Sequence, residues 1–209
     1  MYDLKTKTSR PVIRTPLSSK FSTEEFFGRP TVNFTLEIDS LYLTFSNESL
    51  LHVYAMGDRI RWERSIDMEP TDFKLLPGQK TTVTHQERIT MNEAQIHGMY
   101  ADPNHIMVTY YGGIDSETIV NNSLKDRENF SRYPEFRKNY IKIYKQGEGW
   151  SNELLIPSKI KIILNIESVE KPFYALRNDI SYQKTGIGEK PPYSSGFPAI
   201  SQSLSGTMA

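Results

Sequence analysis

The stretch TVNFTLEIDSLYLTF, residues 31–45, decides the fold class. Val32, Phe34, Leu36 and Ile38 alternate with Asn33, Thr35, Glu37 and Asp39. A period of two belongs to a strand with one buried face, so the four apolar residues are expected to face the core. Leu41, Leu43 and Phe45 continue the series after a slip of one residue at Ser40. That slip predicts a bulge or a sheet-switching bend.

Outward from this stretch the strand signals continue. Leu50 to Met56 is a nearly continuous apolar run, interrupted at His52, and reads as a buried strand. Gly57 and Asp58 turn the chain. Ile60, Trp62, Arg64 and Ile66 then alternate with Arg59, Arg61, Glu63 and Ser65. Leu76-Pro77-Gly78-Gln79 has Pro and Gly where a type II turn wants them, ahead of the β-branched run Thr81 to Thr84. Further strands are predicted at Ile106 to Tyr111, Tyr140 to Tyr144, Leu154 to Pro157, Ile160 to Ile166 and Val169 to Leu176. The run at Ile160 is the most β-branched and is expected at the centre of a sheet. Turn signals about every ten residues favour an all-β sandwich, jelly-roll or immunoglobulin-like. Ser22 to Phe27 reads as a short helical turn capped by Ser22 or Thr23. Asp115 to Tyr133 is polar and reads as a short helix or long loop inserted between strands.

The ends differ from the middle. Residues 1–20 carry Pro11, Pro16 and many hydroxyl residues without an apolar period. Residues 183–209 hold Pro191, Pro192, Pro198 and several Gly and Ser. The expected organisation is an N-terminal arm with a short helix at its end (1–27), a β-sandwich (28–182) and an extended C-terminal arm (183–209). Such ends fray unless something ties them down.

Charge is balanced overall, 25 basic against 25 acidic residues. It is not evenly spread. Lys5, Lys7, Arg10, Arg14 and Lys20 stand against Asp3 alone, so residues 1–20 sum to +4 and the remainder to −4. A basic arm on an acidic body suits nucleic acid or the acidic flank of a neighbouring subunit. The chain has no cysteine, which excludes disulfides, thiolate zinc sites and a thiol nucleophile. It shows no signal-peptide pattern and no apolar run of membrane-spanning length, so a soluble protein with no membrane partner is expected.

Candidate chemistry is sparse. His52, His85, His97 and His105 lack ligand spacing to each other or to a carboxylate, so no metal is expected. Glu37 and Asp39, as i and i+2 on one strand, would project on one face about 7 Å apart, but alternation makes that face a solvated one. Thr185 to Lys190 lacks the Ser/Thr and the helix of a phosphate loop. Asn33, Asn47, Asn121 and Asn129 begin N-x-Ser/Thr sequons, read as accidental. Arg59, Arg61, Trp62 and Arg64 form a basic strand whose acidic neighbours favour ion pairs over nucleic-acid binding.

These readings predict no catalytic residue and no cofactor. They favour a non-enzymatic structural protein of a multi-subunit assembly. A virus or bacteriophage particle component (capsid, decoration, connector or tail protein), assembled in the host cytoplasm and located in the virion, fits best. Its partners would be copies of itself or other structural proteins, engaged through Lys5, Lys7, Arg10, Arg14, Tyr193 and Phe197. Nucleic acid is a further possible partner of the basic arm. One alternative is a carbohydrate- or peptide-binding sandwich using Tyr110, Tyr111 and Trp150. Another is a viral nucleic-acid-binding accessory protein.

Overall fold

The computed structural model describes residues 2–3, 5, 7–9, 13–28, 30–80, 92–158, 160–165, 168–169, 171–172 and 174–177. The chain divides into two compact units, Met1–Leu155 and Ile156–Ala209. The division falls inside the segment 28–182 that the sequence assigns to one domain. The expected strand at residues 81–84, with His85, lies outside the described residues, as does the whole C-terminal arm 183–209. Among the described residues no helix is long and apolar enough to cross a membrane.

The first unit opens with a small antiparallel pair, β1 (Tyr2–Asp3) and β2 (Thr8–Ser9). Residues 31–45 then form two strands, not one bent strand. β3 (Val32–Glu37) and β4 (Ser40–Phe45) pair without interruption from Val32↔Phe45 to Glu37↔Ser40. A two-residue turn, Ile38 and Asp39, joins them, with Ile38 at φ 44°. The register explains the slip at Ser40. Paired residues of an antiparallel hairpin share a face. Here even-numbered positions pair with odd-numbered ones, so one apolar face requires the pattern to change parity at the turn.

β5 (Leu50–Ala55) and β6 (Arg61–Asp67) complete a four-stranded antiparallel sheet in the order β3-β4-β5-β6. A bulge falls in β6, where the pairing passes from Val53↔Arg64 to Tyr54↔Trp62 and skips Glu63. The second sheet follows in the same manner. β7 (Gln95–Ala101), β8 (His105–Tyr111), β9 (Asn139–Lys145) and β10 (Gly149–Trp150) lie in the order β10-β9-β8-β7. The short β11 (Leu154–Ile156) also pairs with β9. Both sheets are thus meanders of chain-consecutive strands, and the fold is all-β with few helices.

Their shared core is built from Leu51, Met68, Ile96, Ile106, Val108 and Tyr110, with Tyr42 and Phe73 packed against it. Burial of such side chains stabilises by about 1.5–3 kcal/mol each. The insertion after β8 is a satellite of this core. α1 (Ser116–Asn121) starts at Asp115, whose carboxylate accepts the Thr118 N–H at 2.9 Å. A run of 3-10 turns, Arg127–Phe136, follows. Ile114, Ile119, Leu124 and Tyr133 close a small apolar cluster beneath them. Arg137 lies over the rings of Tyr111 and Tyr133 at 4.4 and 4.3 Å.

Two local expectations are corrected. Leu76 to Gln79 is not a type II turn, because Gly78 does not take the positive φ that turn needs. Gly78 is there for space: a Cβ on it would stand 2.6 Å from Glu25 Cβ and 2.7 Å from Phe27 Cζ. Gln79 bridges Phe26 instead, with N···O distances of 3.0 and 2.7 Å. In the second unit, β12 (Ile160–Asn165) pairs among the described residues only with β13 (Tyr174–Arg177), across two register shifts. Among the described residues it is not the centre of a larger sheet. Its β-branched run expresses strand propensity, which does not fix a strand's place in a sheet.

Candidate functional site

The register assigns the two faces of the first sheet. Tyr42, Thr44, Leu51 and Val53 face the second sheet. Leu41, Leu43, Phe45, His52 and Tyr54 face away from it. The outward residues are nonetheless buried, and Leu41, Leu43 and Tyr54 form a cluster of their own. Part of the N-terminal segment covers them. Ile13 packs on the cluster, and the Tyr54 hydroxyl donates to the Arg14 carbonyl at 3.1 Å. Phe21 packs on Phe45 at 5.1 Å between centroids and edge-on to Phe27 at 5.8 Å. Residues 13–27 therefore act as a third layer on the sheet.

Buried polar groups fasten this layer. Glu48, at the β4–β5 turn, is 3% exposed. One carboxylate oxygen accepts the Ser19 hydroxyl at 2.8 Å and the Lys20 N–H at 3.0 Å. The other lies 2.6 Å from His52 Nε2. His52 Nδ1 lies 2.7 Å from Ser65 Oγ, so the ring bridges Glu48 and Ser65. Ser65 Oγ is also 2.7 Å from Ser18 Oγ and accepts from Trp62 Nε1 at 3.3 Å. Lys20 reaches the buried Glu93 at 3.4 Å.

Ser19 also caps the real 3-10 turn, Lys20–Ser22, accepting the Phe21 N–H at 3.2 Å. The helical turn expected over Ser22 to Phe27 is thus displaced upstream. Residues 23–25 bend, and Phe26 then forms an isolated bridge with Gln79.

Ser65, His52 and Glu48 stand in the order nucleophile, base, acid that serine hydrolases use. Here every polar atom of the series is occupied by the N-terminal layer or its neighbours. The Ser65 hydroxyl meets Ser18, Trp62 and His52, and Glu48 meets Ser19 and Lys20. The series ties the layer to the sheet. Sequence reasoning missed it. The signal was Glu48 and His52 flanking a tight turn, but Ser46 to Ser49 reads only as that turn.

The cover does not extend to β3. Val32, Phe34, Leu36 and Ile38 are 44, 63, 56 and 83% exposed. The expectation that they face the core is overturned. Val32, Phe34 and Leu36 share the outward face with Leu41, Leu43 and Phe45, and Ile38 stands in the turn, while Asn33 points inward and donates its amide to the Ile96 carbonyl at 3.3 Å. Alternation identified the two faces of the strand, and the inward one is polar.

A cleft of about 670 Å³ lies where β6 approaches the β9–β10 side of the second sheet. Lys142, Tyr144, Trp150, Glu153, Glu69 and Thr71 line it. The Lys142 ammonium donates to the Met68 and Glu69 carbonyls at 2.5 and 3.0 Å, and burial lowers its pKa. Glu153 accepts the Tyr110 hydroxyl and the N–H groups of Thr71 and Asp72. Burial alone would raise its pKa, but hydrogen bonds from Thr71 and Tyr110 outweigh it and hold the carboxyl below the usual range. Asp72 is lowered in the same way: bonds from Tyr140 and Lys74 overcome burial. Burial first, and then the bond to its carboxylate, raise the pKa of both Tyr110 and Tyr140.

Of the aromatics expected on binding loops, only Trp150 reaches this cleft as a wall residue. Tyr110 and Tyr111 are buried in β8, correcting that expectation. Lys5, Lys7 and Arg14 are exposed on the N-terminal segment, whereas Arg10, Tyr193 and Phe197 lie outside the described residues. Glu37 and Asp39 are not a strand pair, because the hairpin turn falls between them. Arg64 pairs with Glu63 at 3.6 Å on the surface. The described histidines do not converge: His97 meets Thr109 at 3.3 Å and His105 meets Asp102 at 3.1 Å. Among the described residues no three His, Asp or Glu side chains are placed to hold a metal. Asn47 is buried and Asn33 is engaged inward, so these two sequons are not presented to solvent.

Comparison of the chain with models of protein families, with curated proteins and with solved structures found no match.

Proposed function

We propose that the chain is a non-enzymatic structural component of a multi-subunit assembly, most plausibly a virus or bacteriophage particle protein of the capsid, decoration, connector or tail kind. One observation carries the reading: a polar segment fastened across the outer face of a sheet by Ser19 and Lys20 on the buried Glu48. Sheet domains that tile a surface have modest lateral contacts, and segments that reach across sheets add to them. Repeated over many copies, weak contacts become a cooperative shell. The basic residues Lys5, Lys7, Arg10 and Arg14 would meet an acidic partner surface or packaged nucleic acid. A jelly-roll or immunoglobulin-like connectivity belongs to the same proposal.

The test is light scattering behind size-exclusion chromatography across concentration, on the full chain and on a chain lacking residues 1–20. Rings or larger species that need those residues support the reading. A monomer at every concentration refutes its self-assembling form.

The cleft favours a second reading, a carbohydrate- or peptide-binding module, because Trp150 and Tyr144 lie beside the carboxylate of Glu153. Aromatic faces next to fixed polar groups suit sugars. Titration with a glycan panel, and loss of any binding in Trp150→Ala, test it.

A further inference from the structure

We infer that the exposed stripe of β3 is an interface between two copies of this chain, packed antiparallel across a two-fold axis. The inference narrows the assembly reading above and rests on it. Val32, Phe34 and Leu36 present an exposed apolar face, with the exposed Ile38 in the turn at its end, at the margin of a sheet on whose outward side residues 13–27 pack. Soluble proteins protect edge strands with Lys, Pro, bulges or short length. β3 carries a single charge, Glu37, and no Lys, proline or bulge: it runs six residues in unbroken register with β4. An exposed apolar strand of this kind marks a contact site.

Charge identifies the occupant. No Lys or Arg occurs from Pro30 to Asp58. That disfavours nucleic acid and anionic lipid, both of which need basic groups beside the apolar contact. The acidic groups of the stripe and its turn are Glu37 and Asp39. A parallel pairing would set Glu37 against Glu37 of the second copy. An antiparallel one centred on Thr35 sets Glu37 against Asn33 and places Phe34 on Leu36, with Ile38 and Asp39 in the hairpin turn beyond the paired residues. The stripe is therefore complementary to itself in one orientation only, as an isologous contact requires.

Area sets the strength. The four side chains offer on the order of 400 Å² of apolar surface per copy, or about 800 Å² for the pair, against roughly 1,200 Å² at the low end of stable interfaces. The pair is weak alone and fills when further contacts hold the copies together.

The absence of cysteine makes this testable, since any introduced thiol is unique. Phe34→Cys and Leu36→Cys, mixed in equal amounts and oxidised with copper phenanthroline, should form disulfide-linked dimers at least tenfold faster than Val120→Cys. Val120 is 70% exposed but lies on α1, away from the stripe. Leu36→Asp, at an exposed position, should keep the wild-type melting curve and abolish concentration-dependent dimer in light scattering. Equal linking rates at the stripe and at residue 120 would overturn the inference. If the wild-type chain still forms large species in that case, assembly stands and only this contact is lost. If it stays monomeric as well, both readings fall.

Discussion

Replacing Glu48 with Ala should cost about 3–5 kcal/mol of stability. The carboxylate accepts three hydrogens at 2.6–3.0 Å, from Ser19, Lys20 and His52. Ser19 and His52 are 1 and 0% exposed, so water cannot readily replace the lost acceptor. A stranded buried donor costs about 1–3 kcal/mol, and three would sum to more than the figure given. Removing the carboxylate also removes its own desolvation cost, which returns part of the loss. The remainder is about a fifth or more of the roughly 5–15 kcal/mol that holds a typical domain together. Urea unfolding followed by circular dichroism measures it as a lower midpoint. Glu48→Gln retains an acceptor oxygen and should lose about half as much. Limited trypsin digestion gives an independent readout: cleavage after Arg14 or Lys20 should accelerate in the Ala variant, because those residues leave the sheet with the layer. A midpoint within 1 kcal/mol of wild type, with unchanged cleavage at both sites, would refute the claim that Glu48 fastens residues 13–27.

Ile38→Gly should stabilise by about 0.5–1 kcal/mol, because a β-branched residue at φ 44° pays a left-handed backbone cost that exceeds the chain entropy glycine adds; thermal melting at low concentration shows it. Gly78→Ala should destabilise by about 1–3 kcal/mol, since its Cβ would meet Glu25 Cβ at 2.6 Å and Phe27 Cζ at 2.7 Å, and the same assay reads it. The lowered carboxyls Glu153 and Asp72 contribute stability that is complete above their unfolded-state pKa values of about 4.5 and 3.8. It is lost as pH falls from there through their lower folded-state values. Urea midpoints from pH 6 to pH 2 should therefore drop below about pH 4.5, and Glu153→Gln should flatten that drop.

The strands were legible where apolar residues alternate with polar ones or run nearly unbroken over about six residues. Val32 to Glu37, Leu50 to Ala55 and His105 to Tyr111 appear where the period places them. β7 was not legible, because Gln95, His97 and Gly98 blur its pattern and its ladder skips His97 between Ile96↔Tyr110 and Gly98↔Thr109. Periodicity could not say which face of β3 is inward. Asn33, a polar residue, takes that side because the Ile96 carbonyl accepts its amide. The fastening of residues 13–27 was invisible for a different reason. Ser18, Ser19, Glu48, His52 and Ser65 are common surface types, scattered over nearly fifty positions, and only the hairpin turns bring them together. Gly78 misled because the Pro-Gly pair signals a turn, while its use here is clearance beneath Glu25 and Phe27.

The third layer also sets a schedule for synthesis. Ser19 and Lys20 leave the ribosome early, but Glu48, Ser65 and finally Glu93 emerge later. Seventy-three residues separate Lys20 from Glu93, which at about 5–20 residues per second is a wait of roughly 4–15 s. The outer face that residues 13–27 cover is complete once Asp67 is made, so the bond from Lys20 to Glu93 is the last of the set to close.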